Sequence, residues 1–407
     1  MSLKNRGLTP LLPYQRNGLT FAGGMRAPSW VFATGVLPTQ FGSDKRPLSG
    51  EPRWSTQFRS LFARGAEVLA AGGSDLAHTV RCDQFVRDWR AVPFFHEARR
   101  QACGKHIAPS TTVLEDAVPL PEAQITMNLV ARPADGPPVE PVFPEGLDVP
   151  ATSSFVPVMK SGGLVFVAGF MAACKPGDLG GIAPEAKVPE GHLWKGNRIQ
   201  LELDYLVKRK LKVALEGAGS SLERMVKADV SIRDMDDVPA FNQVWTKFFP
   251  GGVPATTFWP TSNPGLAIED ARIEINCVAI EPSLTAERIE LPQAAPAVCD
   301  GHPVGVRAGD LLFIPGLVAS DENGLVKREM QYLIELADAI CRKAGTRLEN
   351  VLRIQQAHTD LKDFVRACRA WQKRLPGLAL PISAFQVPKP LLVPGCSVQF
   401  DLWVYCP

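Results

Sequence analysis

EGAGSSLERMVKADVSIRDMDDVPAFNQVWTKFFPGGVPATTFWP, residues 216–260, sets a frame that the rest of the chain repeats. Gly219, Leu222, Val226 and Asp234 reappear 146 residues earlier as Gly73, Leu76, Val80 and Asp88. They reappear 126 residues later as Gly345, Leu348, Leu352 and Asp360. One constant offset on each side, with no gap across the block, marks internal repetition. A unit present three times in one chain can build what a homotrimer builds from three separate chains.

Working outward, two proline-rich stretches, 132–150 and 281–296, read as extended linkers, because proline disfavours helix and central strand. They divide the chain into units 1–131, 151–280 and 297–407. Each unit opens with an apolar run closed by glycine: WVFATG at 30–35, LVFVAG at 164–169 and LLFIPG at 311–316. Such runs read as buried strands. In the middle unit Leu203, Leu206, Val207, Leu211, Ala214 and Leu215 recur at helical spacing. The counterparts of that helix are 58–69 and 330–341. A strand, a second helix capped by Asp236 or Asp237, and two closing strands follow. The expected order is β-β-α-β-α-β-β, an α+β layer with both helices on one sheet face.

Composition excludes several classes. Apolar residues make up 45% of the 407, enough for a core in each unit. A formal charge of +2 is too balanced for a nucleic-acid scaffold or a membrane-surface protein. No apolar run is long enough to span a membrane, and residues 1–20 lack the continuous apolar segment of a signal peptide. Nine scattered cysteines without C-x-x-C read as free thiols of a reducing, cytoplasmic compartment. No His/Cys cluster has metal-ligand spacing, so neither metal nor cofactor is expected. There is no Walker loop, G-x-S-x-G or G-x-G-x-x-G after a strand.

The block at 216–260 resembles the RidA/YjgF family of imine and enamine deaminases. The GSSLE start, the RDMDD turn, the AFNQVW helix and the P-A-x-T segment carry the likeness. The outer units share it through Gly73-Ser74-Asp75-Leu76 and Gly345-Thr346-Arg347-Leu348. The resemblance implies a chorismate-mutase-like α+β fold, with three tandem units forming a pseudo-trimer around a central β-barrel. It also implies ligand clefts at the seams between units, a small-molecule substrate, and a monomeric pseudo-trimer or a homo-oligomer of it.

Carried over residue by residue, the family's substrate-binding arginine falls on Thr111, Thr256 and Ser383, none of them basic. Its water-positioning glutamate falls on Asn128, Asn276 and Asp401. Its aromatic residue ahead of the first strand falls on Phe21, Phe155 and His302, and its Ser-Gly turn on Gly35, Gly169 and Gly316. A carboxylate in a partly apolar cleft requires a paired cation, so the missing arginine removes the family's usual anchor. Arg26, Lys160 and Arg307, ahead of the three apolar strands, are candidate replacements. Arg272 and Glu274 read as an ion pair on the surface or facing the barrel. The long segments 37–56 and 172–199 place Trp54, His192 and Trp194 near the expected pockets.

The expected function is water addition and C–N hydrolysis on a small planar metabolite, by imine deamination or by amide or ring hydrolysis. Thr256 and Thr257 donate hydrogen bonds, Lys160 or Arg26 holds an anion, Asn276 or Asp401 orients water, and His302 acts as acid or base. Thr111, Phe155 and Gly169 complete the substrate contacts, with Ser383 and Asp401 marking the last unit. The alternative is a metabolite-binding protein without turnover. A ribonuclease role lacks the basic, aromatic-interleaved surface it requires.

Overall fold

The three apolar runs are strands buried throughout, save for half-buried Gly35 and Gly169, and each sits inside a six-stranded sheet. The structure, a computed structural model, describes residues 7–42, 53–149, 155–173, 181–192, 196–292, 298–319 and 325–407. The first part contains β1 (Thr9–Leu11), a small hairpin of β2 (Tyr14–Arg16) and β3 (Leu19–Phe21), β4 (Gly24–Ala27) and β5 (Trp30–Val36). Helix α1 (Arg53–Ala71), β6 (Thr79–Val86), α2 (Val92–Cys103), β7 (Ser110–Leu114) and β8 (Ile125–Ala131) follow. The middle part runs β9 (Glu140–Val142), β10 (Val158–Ser161) and β11 (Leu164–Phe170). Its first helix enters as α3 (Arg198–Leu206), passes through a π-helical turn (Val207–Leu211) and ends as α4 (Lys212–Gly217). Then come β12 (Met225–Ile232), α5 (Val238–Phe248), β13 (Ala255–Pro260) and β14 (Ile273–Ile280). The last part runs β15 (Ala286–Ile289), β16 (Gly305–Ala308), β17 (Leu311–Val318), α6 (Val326–Lys343), β18 (Val351–His358), α7 (Phe364–Arg374), β19 (Ile382–Gln386) and β20 (Val398–Tyr405).

The fold is mixed α+β. The sheets are ordered β1-β4-β5-β8-β6-β7, β9-β10-β11-β14-β12-β13 and β15-β16-β17-β20-β18-β19, one order used three times. Each sheet has one strand more than the sequence pattern implied. The proline-rich stretches are not bare linkers: β9 pairs with β10, and β15 with β16, so each stretch lends an edge strand to the sheet that follows. Proline is tolerated there because an edge strand has one unpaired side.

The repeated residues have local causes. Gly73, Gly219 and Gly345 follow the long helices at φ of +72°, +77° and +75°, the left-handed conformation that ends a helix and that glycine adopts without strain. Asp88, Asp234 and Asp360 each accept a hydrogen bond two residues on, from the backbone N–H of Arg90, Asp236 and Lys362, opening the turn into the second helix. The cap expected at Asp236 or Asp237 is therefore made by Asp234.

The sheets do not close into one barrel by strand pairing. Between them the described residues form only isolated bridges, Phe21 with Leu380 and Ala117 with Gln386. The facing surfaces are joined instead by charge. Arg81, Lys227 and Arg353 stand at one position of β6, β12 and β18, related by the same offsets of 146 and 126 residues. Arg81 donates to both carboxylate oxygens of Asp83, at 3.0 and 2.9 Å, and to Asp229 at 2.7 Å. Lys227 holds Asp229 at 2.7 Å and Asp401 at 2.9 Å. Arg353 holds Asp401 at 3.0 Å and Asp83 at 3.3 Å. Three cations and three anions thus alternate in a closed ring that links all three sheets. None of the six side chains is more than 6% exposed.

Aromatic layers lie on both sides. Trp30, Phe32, Phe166, Phe313 and Trp403 pack edge to face through a chain of contacts, and the Arg353 guanidinium lies 4.7 Å from the Trp403 ring centre. Phe85 stacks on Phe385 at 4.1 Å, and Trp259 meets Phe385 at 5.5 Å while donating to Asp229. Burial alone would raise the Asp229 carboxyl. Lys227, Arg81 and Arg353 override that and hold it far below the usual carboxylate range.

Lys227→Met would leave Asp229 and Asp401 under-compensated in a dry site. It is expected to destabilise the fold by about 3–5 kcal/mol in urea unfolding. Adding Asp229→Asn restores the balance of charge and is expected to recover at least half of that loss.

Candidate functional site

A β-bulge interrupts the pairing of each apolar strand, between Ala33 and Val36, Val167 and Phe170, and Ile314 and Leu317. A bulge re-aims the backbone, and here it presents Gly35, Gly169 and Gly316 to the edge strand of the neighbouring sheet. Gly35 meets Ile382 and Ser383 on β19, Gly169 meets Thr111 on β7, and Gly316 meets Thr257 on β13. These are three equivalent seams: last sheet with first, first with middle, and middle with last.

Strand register decides which residues are equivalent. Asp83, Asp229 and Gln355 pair with Thr111, Thr257 and Ser383. Thr111, Thr257 and Ser383 therefore share one position, and Ser110, Thr256 and Ile382 share the one before. The expected set Thr111, Thr256 and Ser383 mixes the two. Thr256 lies on the helix side, accepting from Trp245 Nε1 at 3.3 Å and donating to Pro254 O at 2.9 Å.

Thr257 is at its seam but serves the ring. It donates to Asp401 at 2.7 Å and accepts from Lys227 and from the Gly316 N–H, both at 2.8 Å. Asp401 is wholly buried between Lys227 and Arg353. Ser383 is also fully buried, beside Gly35. At that seam Asn128 accepts from the Gly35 N–H at 2.8 Å and donates to Gln355 at 3.0 Å.

The basic candidates reach no seam. Arg26 binds the carbonyls of Ala27 and Pro28 in its own hairpin, Lys160 pairs with Glu281 at 2.5 Å, and Arg307 donates to Ala344 O at 3.2 Å. Phe155 is half-buried against the middle core, next to Val156, whose N–H bonds Ile107 O of the first part. Trp54 packs on Phe94 at 5.5 Å, His192 is exposed, and Trp194 lies outside the described residues.

His302 is buried, 2.7 Å from the side chain of Asn242. Burial, with Arg288 nearby, pushes its imidazole down to about 4, so it is neutral at physiological pH. Beside it an open groove of about 770 Å³ runs between α5 and the segment at Cys299 and Asp300, with Asn242 in its wall.

Glu274 is the residue that sequence reasoning misplaced. Arg272 does not pair with it; Arg272 pairs with Asp237 at 2.6 Å. Glu274 points into the seam between first and middle sheets, where a Cβ on Gly169 would lie 2.0 Å from its Oε1 and 2.9 Å from Thr111 Oγ1. Asn276, two residues on and on the same face, donates to Thr111 Oγ1 at 2.5 Å, and its Oδ1 meets no donor. Glu274 is 5% exposed and, among the described residues, its carboxyl has neither an ion pair nor a hydrogen bond. Burial, reinforced by the Asp83 carboxylate, pushes it up to about 8. By register its counterparts are Thr126 and Gln399. Thr126 donates to Val36 O at 3.3 Å and Gln399 to Phe258 O at 2.7 Å. At this register position an acid thus stands at the seam between first and middle sheets and at neither of the others. Glu115, just after β7, is a second buried carboxyl that meets no donor among the described residues. The available signal was the period-two alternation of β14, which places Glu274 on the face of Asn276.

This seam thus holds a buried acid beside an amide oxygen that meets no donor. Residues 147–281 match the family profile described as Endoribonuclease L-PSP. The chain is 35% identical over 123 residues to protein mmf2, mitochondrial, of Schizosaccharomyces pombe, covering 30% of this chain and 84% of that protein. It is 30% identical over 142 residues to the 3-aminoacrylate deaminase RutC of Acinetobacter baylyi, covering 35% of this chain and 98% of that protein. A crystal structure of a chorismatase overlays 67% of this chain and 80% of that one, at 13% identity and a TM-score of 0.46. The chain belongs to the RidA/YjgF family. Among the described residues no helix is long and apolar enough to cross a membrane.

Glu274 makes stability depend on pH with a definite sign. Its folded value, about 8, lies above the ordinary 4.5, so between these values the native state holds a proton that the unfolded chain releases. Wild type is expected to lose stability relative to Glu274→Gln by roughly 1.4 kcal/mol per pH unit across that window, and to track it above and below. Urea unfolding at stepped pH checks this.

Proposed function

We propose that the chain is a covalent pseudo-trimer of three RidA-like units, near 1–131, 151–280 and 297–407, and that the seam between the first two carries out C–N hydrolysis. The carrying observation is Glu274, a buried seam carboxyl that has neither a cation nor a hydrogen-bond partner among the described residues. Its role is to exchange protons with the substrate nitrogen and the attacking water. Asn276 and Thr111 orient that water, and Gly169, having no side chain, lets the acid approach the backbone of β11. Phe155 stands at the same seam as an apolar wall. The other two seams, with Thr126 and Gln399 in place of Glu274, hold the assembly together, and Asp401, Thr257 and Ser383 belong to that task. Membership of the family and the likeness to a 3-aminoacrylate deaminase support an imine-deaminase-like role.

The test is ammonia release from small imines, enamines and amides by purified protein. Glu274→Gln is expected to lower kcat by roughly 100-fold or more, with folding intact by circular dichroism. Gln399→Ala is expected to change kcat less than threefold. A Glu274→Gln variant with full activity would refute the assignment.

A further inference from the structure

We propose that the seam around Glu274 takes an uncharged substrate, one with no carboxylate, and that Glu274 enters the reaction as the acid. The inference rests on reading this seam as the reactive site. Among the described residues every basic group near it already has a carboxylate or carbonyl partner, although one terminal nitrogen of Arg81 meets no acceptor. Arg81 on β6 is held by Asp83 and Asp229, and Arg272 ahead of β14 by Asp237. Lys160 on β10 is held by Glu281, and Arg26 by its own hairpin. The groups that face Glu274 are neutral or negative: Thr111 from β7, the Gly169 backbone from β11, Asn276 on its own strand, and Asp83 from β6. Ser231 of β12 is its register partner.

Among the described residues an anion placed here would meet Asp83 and no unpaired cation, at a cost of several kcal/mol. A neutral imine or carboxamide meets hydrogen-bonding partners only, including the open Asn276 Oδ1. Because Glu274 titrates near 8, it is protonated at physiological pH.

The step balances without a co-reactant. Water attacks the C=N carbon and a C–O bond forms. The π electrons move to nitrogen, which takes the proton of Glu274. The carboxylate so formed takes one proton from the added oxygen and passes it to the amine nitrogen. It then takes the remaining hydroxyl proton as the C–N bond breaks and ammonia leaves. Imine plus water gives carbonyl compound plus ammonia.

The test uses a pair differing only in charge. 2-Aminoacrylamide and 2-aminoacrylate are released in situ at pH 7, and ammonia is measured. The product analogues pyruvamide and pyruvate are titrated calorimetrically against the same protein. The expected results are kcat/KM at least 100-fold higher for the amide, binding of pyruvamide but not pyruvate, and kcat falling tenfold per pH unit above about 8. Equal or preferred turnover of the acid, or pyruvate binding as tightly as pyruvamide, overturns the inference. So does binding of neither analogue. Selective pyruvamide binding without turnover of either substrate keeps the inference on charge and refutes the catalytic reading instead. Glu274→Gln, which keeps the shape, is expected still to bind pyruvamide.

Discussion

The alternating ring of Arg81, Asp229, Lys227, Asp401, Arg353 and Asp83 is the constraint to which the rest of the structure answers. Six charges packed between aromatic layers are tolerable only if each is compensated on both sides, because a lone ion there would cost several kcal/mol. Each cation bridges anions of two different sheets or strands, so the three sheets have a single relative placement. The ring also keeps its balance across an exchange of residues. In the first two sheets the acid stands on the strand after the long helix, as Asp83 and Asp229, with Asn128 and Asn276 opposite. In the last sheet Gln355 takes that place and Asp401 stands opposite. Polarity is swapped across the strand pair while the sum of charge stays at zero.

That constraint shapes the seams. Residues one step out from the ring, Thr111, Thr257 and Ser383, can serve either the ring or a cleft. At the seam between middle and last sheets Thr257 is bound by Lys227, Asp401 and the Gly316 N–H, which leaves it no capacity for a ligand. At the seam between first and middle sheets, among the described residues, Thr111 is bound by Asn276 alone and Glu274 stands beside it without a partner. The difference between a closed seam and an open one is thus a matter of which hydrogen bonds are already made. Its chemical consequence is a carboxyl group kept protonated by its surroundings, the condition for an acid that works near neutrality.

Much of this was legible beforehand. The repeat of Gly73, Gly219 and Gly345 and of Asp88, Asp234 and Asp360 was plain, because a left-handed residue and a turn cap are local requirements, although the cap was read two or three residues late, at Asp236 or Asp237. The edge strands β9 and β15 were hidden, since proline-rich sequence reads equally as linker and as edge. The seam residues were harder. Thr256 and Thr257 are adjacent, and only the parallel register of β12 with β13 tells which one faces the ring. Arg272 and Glu274 share alternation, yet Asp237 lies nearer to the arginine, and nothing local announces that.

By itself, then, the sequence determined the repeated glycine and aspartate positions, the mixed α+β class and the family, because periodicity, glycine and capping act over a few residues. The tertiary structure alone decided that Asp401 belongs to a charge ring, that Thr257 and not Thr256 is at a seam, and that Glu274 is left unpaired. Those outcomes depend on which side chain of one sheet meets which side chain of another. Partners 144 to 270 residues apart are set by packing, and no short-range pattern encodes them.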